Sequence, residues 1–276
     1  MLDLSGKVAV VTGASSGIGR ALAVRFAEEG MGLMLADVDP GGLAETAAMA
    51  GHGKVLTQIT DVSDENAVQH LANRAFGELG AVHVLCNNAG VFQGGHMWTR
   101  TSEDFAWLLG VNLWGVLHGI QAFVPRMIEQ DTEGHIVNTV SVAGLFAAPY
   151  SGAYSVSKYA AFAASQSLAQ DLALVGSKLR VSALCPGGVK TQIHRSDRVR
   201  PADLAVARTR DDLDAGAIIE GLVEKGIAPS IVADQVVDAI HEERFLVLTH
   251  PGYDRGLRTQ TERLLSGGLP DLPAYE

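Results

Sequence analysis

The sequence predicts an α/β fold, a doubly wound parallel sheet of seven strands with helices on both faces. Two observations predict it. Apolar, strand-like runs alternate with helix-like segments along the chain, and the first of these runs is β-branched. A β-branched apolar run is typical of a strand buried on both faces of a parallel sheet. Strands and helices in alternation predict the layered α/β arrangement.

The first strand is predicted at Val8–Thr12, and six later apolar runs complete the sheet. These runs are Leu33–Ala36, Val55–Ile59, Val82–Asn87, His135–Val140, Arg180–Cys185 and Phe245–Leu248. The segments between them predict helices at Ile18–Glu29, Gly42–Ala50, Glu65–Leu79, Glu103–Gln130, Ala153–Val175 and Ile231–Glu242. Ser63 and Thr101, three residues before Asn66 and Asp104, are predicted to cap two of these helices.

Length and composition predict one domain over residues 1–276, with a substantial core. Apolar residues make up 47% of the chain and charged residues 19%, and no repeat or linker divides it. The formal net charge of −10, with no basic block, argues against a nucleic-acid or membrane partner. No apolar stretch reaches the roughly 18 residues of a membrane span, and no signal peptide precedes the first strand, so we expect a cytoplasmic protein.

Three features stand apart from the alternation. Cys86 and Cys185 each end a predicted strand and are expected to be core residues in a reduced compartment. Residues 192–230 follow the sixth strand and predict a lid over the ligand site, because ligands in such folds bind beyond the carboxyl ends of the strands; a passive surface helix pair is the alternative. The tail Thr249–Glu276 is expected to pack on the outside or against another subunit.

A glycine-rich loop follows the first strand. Gly13, Gly17 and Gly19 turn the chain into the first helix. Glycine lets the backbone approach a pyrophosphate closely, and the helix N-terminus supplies free N–H donors. The spacing G-x-x-x-G-x-G differs from the G-x-G-x-x-G fingerprint, so a turn without a ligand is the alternative.

Tyr154 and Lys158 lie four residues apart, which places both side chains on one face of a predicted helix. An ammonium beside a phenol favours the phenolate, so we expect Lys158 to lower the pKa of Tyr154. Such a tyrosine can exchange a proton with an alcohol or a carbonyl oxygen. Ser141, thirteen residues upstream, is a candidate to bind the same oxygen. By itself the Tyr–Lys spacing also occurs by chance.

Asp37 ends the second strand, 18 residues after Gly19. A carboxylate at this point accepts hydrogen bonds from the adenosine ribose hydroxyls and repels a 2′-phosphate. With no basic residue beside Asp37 or inside the loop, the sequence predicts NAD rather than NADP. Asp39, before Pro40 and Gly41, is better explained as a turn residue.

Together these motifs resemble those of the short-chain dehydrogenase/reductase family, in its short, single-domain branch. Thr12–Gly19 is similar to the family's cofactor loop, and Asn87-Asn88-Ala89-Gly90 to the motif that closes its fourth strand. Asn112, Ser141, Tyr154 and Lys158 match its four catalytic residues in order, and Pro186–Thr191 matches the segment that holds the nicotinamide. The resemblance covers nearly the whole chain and implies a Rossmann-type fold.

The resemblance also implies the site residues, with no metal. The cofactor contacts that it implies are Gly13, Ser15, Ser16, Gly17, Ile18, Gly19, Asp37, Val38, Asp61, Val62, Asn88, Ala89, Gly90, Tyr154, Lys158, Pro186, Gly187, Val189 and Thr191. For Asn88 and its neighbour Asn87, amides that tie neighbouring backbone together are the alternative.

The resemblance implies a catalytic role for each of four side chains. Tyr154 is the expected general acid and base, and Ser141 the group that holds the substrate oxygen. Lys158 is expected to reach the nicotinamide ribose, and Asn112 to bend its helix and hold a water linked to Lys158. For Asn112, a satisfied polar group between helices is the alternative. Neither Tyr150 nor Tyr159 has a lysine four residues on, so Tyr154 is preferred over both.

Two loops predict the substrate class. Val91–Trp98 and Val142–Phe146 are expected to form apolar and aromatic pocket walls, which favours a hydrophobic or aromatic secondary alcohol or ketone. The predicted protein is therefore an NAD-dependent alcohol dehydrogenase or ketone reductase. Alternatives are a 3-oxoacyl-thioester reductase, which generally uses NADPH, a sugar-nucleotide epimerase or dehydratase of the longer, extended branch, and a non-enzymatic NAD-binding scaffold.

Histidines 96, 118, 135 and 194 show no metal-ligand spacing. His96 and His194 fall in predicted substrate loops, where they could add polarity to the pocket. By analogy with the family, we expect a homotetramer or homodimer that associates through Glu103–Gln130 and Ala153–Val175, whose alanine-rich faces allow close packing.

Overall fold

The protein is described by a computed structural model that covers residues 1, 3–51 and 53–269. Seven parallel strands form one sheet in the order β3-β2-β1-β4-β5-β6-β7. The strands are β1 (Val8–Thr12), β2 (Gly32–Asp37), β3 (Val55–Ile59), β4 (Val84–Asn87), β5 (Gly134–Thr139), β6 (Leu179–Cys185) and β7 (Leu246–Leu248). The doubly wound, Rossmann-type sheet is confirmed, and each strand lies within two residues of its predicted bounds.

Helices cover both faces of this sheet. They are α1 (Gly17–Glu28), α2 (Pro40–Met49), α3 (Glu65–Leu79), α4 (Ser102–Leu109), α5 (Gly115–Glu129), α6 (Gly152–Leu174), α7 (Arg210–Glu224), α8 (Pro229–His241) and α9 (Tyr253–Leu265). α1 and α8 pack on one face, and α3 and α5 pack together on the other. The sequence predicted no helix bounds within residues 192–230, where α7 lies, or in the tail, where α9 lies.

The predicted helix Glu103–Gln130 is interrupted. A π-helical turn, Gly110–Trp114, separates α4 from α5. Asn112 lies in this turn, and its side chain hydrogen-bonds the backbone of Val91. The helix therefore widens into a π turn at the residue that makes this long-range contact. The predicted helix is thus one helical run, Ser102–Glu129, with a π turn at Asn112.

One of the two predicted helix caps is confirmed. The Thr101 side chain accepts from the Asp104 N–H while Asp104 accepts from the Thr101 N–H, which is a capping box. The cap of α3 is Asp64 rather than Ser63, because the Ser63 hydroxyl and N–H both donate to Asp61.

The strand order reverses between β1 and β4, which places the turns after these two strands side by side. In open α/β sheets, ligands bind in the crevice at such a reversal. The glycine-rich loop follows β1, and residues 88–90 follow β4. The fold therefore brings two predicted site motifs to one end of the sheet.

The two cysteines are buried and unpaired. Burial raises the pKa of the Cys185 thiol to about 12 and raises the pKa of the Cys86 thiol further. Both thiols are thus protonated at neutral pH, as expected of core residues.

The stretch Ser102–Glu129, which holds α4, the π turn and α5, is the one described helical run long and apolar enough to cross a membrane. More than half of its most apolar window is buried inside the fold. Phe123 and Met127 of α5 are fully enclosed in the core beside α3. This burial matches a core helix that packs on the sheet.

The tail packs on the outside of the chain as far as it is described. In α9, Tyr253 joins the apolar cluster around Phe146, and Gln260 donates to the Leu145 carbonyl at 2.6 Å. The rest of the predicted tail segment, residues 270–276 with Pro270 and Pro273, lies outside the described residues.

Candidate active site

The glycine-rich loop has a backbone that a side chain would obstruct. Gly13 and Gly17 have φ values of 66° and 53°, a region that favours glycine. At Gly19, a Cβ would lie 2.0 Å from the Gly13 carbonyl oxygen. Gly13, Gly17 and Gly19 also line a cavity where α1 begins, and a helix N-terminus at such a place suits a pyrophosphate.

The amides after β4 hold the loop in place. Asn88 Nδ2 donates to the Thr12 carbonyl at 3.0 Å, and its Oδ1 accepts from the Thr139 hydroxyl at 3.2 Å. Asn87 Nδ2 donates to Asn138 Oδ1 at 2.9 Å. These bonds join β1, β4 and β5. The Asn88 amide bonds the backbone of Thr12, whereas the Asn87 amide bonds another side chain.

Asp37 is held rigidly at the end of β2. Its Oδ2 accepts from the Ser15 N–H at 2.9 Å and its Oδ1 from the Asp39 N–H at 3.0 Å. Arg20, directly after the loop, is a nearby cation that the sequence analysis passed over. Its guanidinium pairs with Glu45 at 2.8 Å and donates to the Ser15 carbonyl, so it is already engaged.

Ser141, Tyr154 and Lys158 come together at the start of α6, beside the end of β5. The Ser141 and Tyr154 side chains line the same cavity, and Ser141 acts to lower the pKa of Tyr154. Lys158 Nζ lies 5.8 Å from the centre of the Tyr154 ring and donates to the Thr139 carbonyl at 2.9 Å. Three of the four predicted catalytic side chains therefore form one cluster.

The expected effect of Lys158 on Tyr154 was wrong for this structure. Burial raises the pKa of Tyr154 to about 12, and the hydrogen bond from Ser141 only partly opposes it. Burial also lowers the pKa of Lys158 to about 8, so its positive charge is itself weakly held. Desolvation thus outweighs the attraction between ammonium and phenolate.

Ser141 has a backbone conformation that serine rarely adopts. Its φ is 134° and its ψ 158°, a region occupied almost only by glycine. The Ser141 hydroxyl accepts from the Ala143 N–H at 3.1 Å, which begins a short 3₁₀ turn. Backbone strain of this kind concentrates at functional sites, and no local pattern in the sequence reveals it.

Asn112 is fully buried, and its amide hydrogen bonds are made within the protein. Its Oδ1 accepts from the Val91 N–H at 2.9 Å, and its Nδ2 donates to the Val91 carbonyl at 2.9 Å and to Ser157 at 3.0 Å. These contacts match a satisfied polar group between helices. A Cβ added at Gly90 would lie 3.4 Å from both Asn112 Oδ1 and Lys158 Nζ, so the two side chains flank one narrow space.

One cavity of about 390 Å³ joins these groups. Every predicted cofactor residue lines it, as does Ser141, whereas Asn112 does not. Beyond Tyr154 the wall is mainly apolar. Its further residues include Phe92, Trp107, Val142, Phe146, Pro149, Ile193, Val199, Leu204, Ile218, Ile219 and Leu222.

The two predicted pocket walls are only partly present. Val91 and Phe92 line the cavity, but residues 93–98 do not. His96 stacks on Trp98 with ring centres 4.5 Å apart, and His194 also lies outside the wall. Neither histidine supplies polarity to the pocket. No cluster of three metal-ligating side chains occurs in the described part of the chain.

Residues 192–230 supply part of the cavity wall and are joined to α4 by buried charges. Arg200 Nη2 lies 2.8 Å from Asp104 Oδ1, an ion pair without hydrogen-bond alignment, and its guanidinium stacks 4.8 Å from the Trp107 ring centre. Arg100 pairs with Asp104 at 3.6 Å and with Asp211 of α7 at 3.4 Å. Three of these charged side chains, at 100, 104 and 200, are at least nine-tenths buried. Sequence analysis missed this ion network because its members are far apart along the chain.

The same segment packs against the candidate catalytic tyrosine. Val199 and Leu204, which flank Arg200, join an apolar cluster that contains Trp107 and Tyr154. The ion pair of Arg200 thus lies between two apolar residues that line the cavity beside Tyr154.

The chain resembles known proteins over most of its length. The family model described as short chain dehydrogenase matches residues 7–201. The CLA biosynthesis dehydrogenase/reductase of Lactiplantibacillus plantarum is 30% identical, over 99% of this chain and 98% of that protein. The 1-deoxy-11-beta-hydroxypentalenate dehydrogenase of Streptomyces avermitilis is 36% identical, over 90% of this chain and 86% of that protein.

A solved structure shows the same resemblance. A short chain dehydrogenase/reductase from Burkholderia phymatum, determined in complex with NAD, is 42% identical and superposes with a TM-score of 0.97, with both chains covered completely. The matched residues include the glycine-rich loop, Ser141, Tyr154 and Lys158. The sequence, the fold and the site geometry lead to one assignment: the chain belongs to the short-chain dehydrogenase/reductase family.

Proposed function

We propose that the protein is an NAD-dependent oxidoreductase that moves a hydride between an apolar secondary alcohol or ketone and the nicotinamide. One observation carries this proposal. A single cavity runs from the glycine-rich loop and Asp37 to Ser141 and Tyr154. It therefore offers a dinucleotide site and a proton-transfer pair in one continuous space.

The residues present fit NAD. The loop is too closely packed for a side chain at Gly19, and its N–H groups and the start of α1 suit the pyrophosphate. The Asp37 carboxylate lines the cavity and is fixed by two backbone N–H groups, ready to accept ribose hydroxyls. The Arg20 guanidinium is already bonded to Glu45 and to the Ser15 carbonyl, so it is not available beside Asp37 to bind a 2′-phosphate. The relative from Burkholderia phymatum, bound to NAD, supports the same choice.

The remaining contacts are proposed by position. All of them line the cavity: Val38, Asp61 and Val62 are proposed for the adenine end, and Pro186, Gly187, Val189, Thr191 and Lys158 for the nicotinamide end. When bound, NAD accepts or supplies the hydride. Fixing the ring beside Ser141 and Tyr154 would bring the reacting carbon and the proton-transfer group into one place.

Tyr154 and Ser141 act on the substrate oxygen. In reduction, the Tyr154 hydroxyl donates a proton to the carbonyl oxygen; in oxidation, the phenolate takes the alcohol proton. Ser141 donates a second hydrogen bond that holds the oxygen and stabilises its developing charge. Because the pKa of Tyr154 is raised to about 12, Tyr154 is protonated at neutral pH and is ready to act as the acid.

Lys158 and Asn112 support this pair. Lys158 lies between Tyr154 and the β5 carbonyl of Thr139, where its charge favours the phenolate when it is protonated. Asn112 fixes the loop after β4 and the α6 backbone through Val91 and Ser157, and we propose that it also orders water beside Lys158.

The cavity walls favour an apolar substrate. Ser151 and Ser196, two hydroxyls in the wall, already donate to Ala148 and Ile193 carbonyls within the protein. Few groups remain to bind a sugar, whereas aliphatic and aromatic side chains dominate. We propose that residues 192–230 form the lid of this pocket.

Two alternative functions are less well supported. Asp37 argues against the NADPH-dependent thioester reductase, and an intact proton-transfer pair argues against a scaffold.

We also propose a homotetramer or homodimer in the cytoplasm, associated through α4–α5 and α6. Exposed apolar side chains on these helices, such as Trp114 and Val156, support this arrangement. The buried thiols suit a reduced compartment.

The test is formation of NADH, followed at about 340 nm with apolar secondary alcohols and either NAD or NADP. Tyr154→Phe is expected to lose turnover while NAD binding, measured by calorimetry, is kept. Tyr159→Phe is the matched control, since the Tyr159 hydroxyl donates to the Leu145 carbonyl and the residue does not line the cavity. Equal turnover in wild type and Tyr154→Phe would contradict the proposed function.

A further inference from the structure

Charge is unevenly distributed along the cavity. Its charged lining residues are Asp37, Asp61, Lys158 and Arg198. The two carboxylates lie at the adenine end, and Lys158 stands beside Tyr154. Arg198 is therefore the one charged side chain among the described residues that lines the outer, lid side of the cavity.

Arg198 is held in place but is not neutralised. It belongs to the 3₁₀ turn Ile193–Val199, and its Nη1 donates to the Gln192 and Arg195 carbonyls at 3.3 and 3.1 Å. No ion pair joins Arg198 to a carboxylate in the described chain, and its neighbour Asp197 pairs instead with Arg208 at 3.8 Å. A guanidinium has five N–H donors, so those on Nε and Nη2 can still reach a ligand.

Two other polar side chains of this turn and the residue before it line the cavity, Gln192 and Ser196. The Ser196 hydroxyl donates to the Ile193 carbonyl at 2.7 Å and accepts from the Phe92 N–H at 2.9 Å. Val199 and Leu204 are apolar. Beyond the proton-transfer pair, this wall therefore offers apolar contacts, the Gln192 amide and one cation, which suits a ligand with an apolar body and an anionic group.

We infer that the substrate is an apolar secondary alcohol or ketone that carries a carboxylate remote from the reacting carbon, and that Arg198 binds this carboxylate. The inference rests on the proposed function and names its substrate class. Arg198 is exposed, whereas Ser141 and Tyr154 are half-buried in the same cavity wall, so a carboxylate bound by Arg198 is separate from the reacting oxygen. The chain has a net charge of −10, so a local cation is needed to attract an anion.

The reaction itself leaves the carboxylate unchanged. The alcohol loses a hydride to NAD and a proton to Tyr154, which gives the ketone, NADH and a released proton. The Arg198 guanidinium could instead meet a phosphate of the cofactor, which shares the anionic chemistry. The experiment separates these two sources of negative charge.

The probes are (ω−1)-hydroxy fatty acids of eight, ten and twelve carbons and their methyl esters, oxidised with NAD by the full-length protein. In wild type, the best acid is expected to have a KM about tenfold below that of its ester. Arg198→Gln is expected to raise the KM of the acid about tenfold and to leave kcat, the KM of the ester and the KM of NAD unchanged. Arg195→Gln, at an exposed arginine that does not line the cavity, is the matched control and should change none of these values.

Each other outcome overturns the inference. An equal rise in KM for acid and ester in Arg198→Gln would show that Arg198 supports the structure of the lid instead. A raised KM for NAD without discrimination between acid and ester would assign it to a cofactor phosphate. Turnover of esters but not of acids by wild type would exclude the carboxylate and keep the proposed function. Turnover of neither, with NAD still bound, would overturn both.

Discussion

At the scale of the residue, Ser141 combines a strained backbone with a functional side chain. Its φ of 134° suits glycine, yet its side chain lines the cavity with that of Tyr154. A conformation of this kind costs about 1–3 kcal/mol and persists where the surrounding structure imposes it. The strand end and the 3₁₀ turn that begins at Ser141 provide that constraint.

We expect Ser141→Gly to be more stable than Ser141→Ala by about 1 kcal/mol, because glycine relieves the strain and loses part of that gain to chain entropy. Both variants should lose about a hundredfold or more in kcat, since neither has a hydroxyl. Urea unfolding and NADH formation measure the two effects. Equal stability of the two variants would show that the backbone is not strained.

Asp37 is predicted to set the choice between NAD and NADP. Asp37→Ser removes the negative charge, so the ratio of kcat/KM for NAD to that for NADP should fall at least about tenfold. Asp39→Asn is the control, because its side chain only accepts from the N–H groups that begin α2. A ratio unchanged in Asp37→Ser would remove Asp37 from cofactor selection.

At the scale of the element, the segment 192–230 is joined to α4 by the ion network around Asp104. Removing one member of a buried ion pair leaves an uncompensated charge, which is costly. Arg200 also donates from Nε to the Leu204 carbonyl at 2.8 Å, so it fixes the turn that places Leu204 in the cavity wall.

We expect Arg200→Met to raise the KM of the alcohol about tenfold with little change in the KM of NAD, and to speed tryptic cleavage within residues 192–230. Asp104 would keep only the longer ion pair with Arg100, and loss of its 2.8 Å partner should lower the free energy of unfolding by about 3 kcal/mol. Arg210→Met, at an exposed arginine paired with Asp214, is the control. Arg200→Lys should restore part of the affinity. Cleavage as slow as in wild type would contradict an anchored lid.

At the scale of the whole molecule, a buried histidine links stability to pH. His135 lies in β5, fully enclosed, with Nε2 2.8 Å from the Ser182 hydroxyl. Burial lowers its pKa from 6.5 to about 3. The folded protein therefore keeps His135 neutral through a range in which the unfolded chain binds a proton.

The sign of this linkage follows from the lowered pKa. Above pH 6.5 His135 makes no pH-dependent contribution, and between pH 6.5 and about 3 the folded state loses about 1.4 kcal/mol of stability for each pH unit of acidification. The contribution at pH 5 is thus a loss of about 2 kcal/mol relative to pH 7. The free energy of unfolding, measured with urea at pH 5 and pH 7, should differ by about 2 kcal/mol less in His135→Gln than in wild type. The same pH dependence in both proteins would contradict the burial argument.

The sequence by itself determined the alternation of strands and helices, the glycine-rich loop, Asp37 and the Tyr154–Lys158 pair. These depend on local periodicity, on backbone freedom at glycine and on spacing along one helix, all of which neighbouring residues carry.

Only the tertiary structure decided the π turn at Asn112, the strained φ of Ser141, the raised pKa of Tyr154 and the anchoring of Arg200. Each results from contacts between distant parts of the chain: Asn112 with Val91, Ser141 with α6, and Arg200 with α4. Desolvation and long-range pairing depend on which segments the fold brings together, and no local pattern in the chain records that.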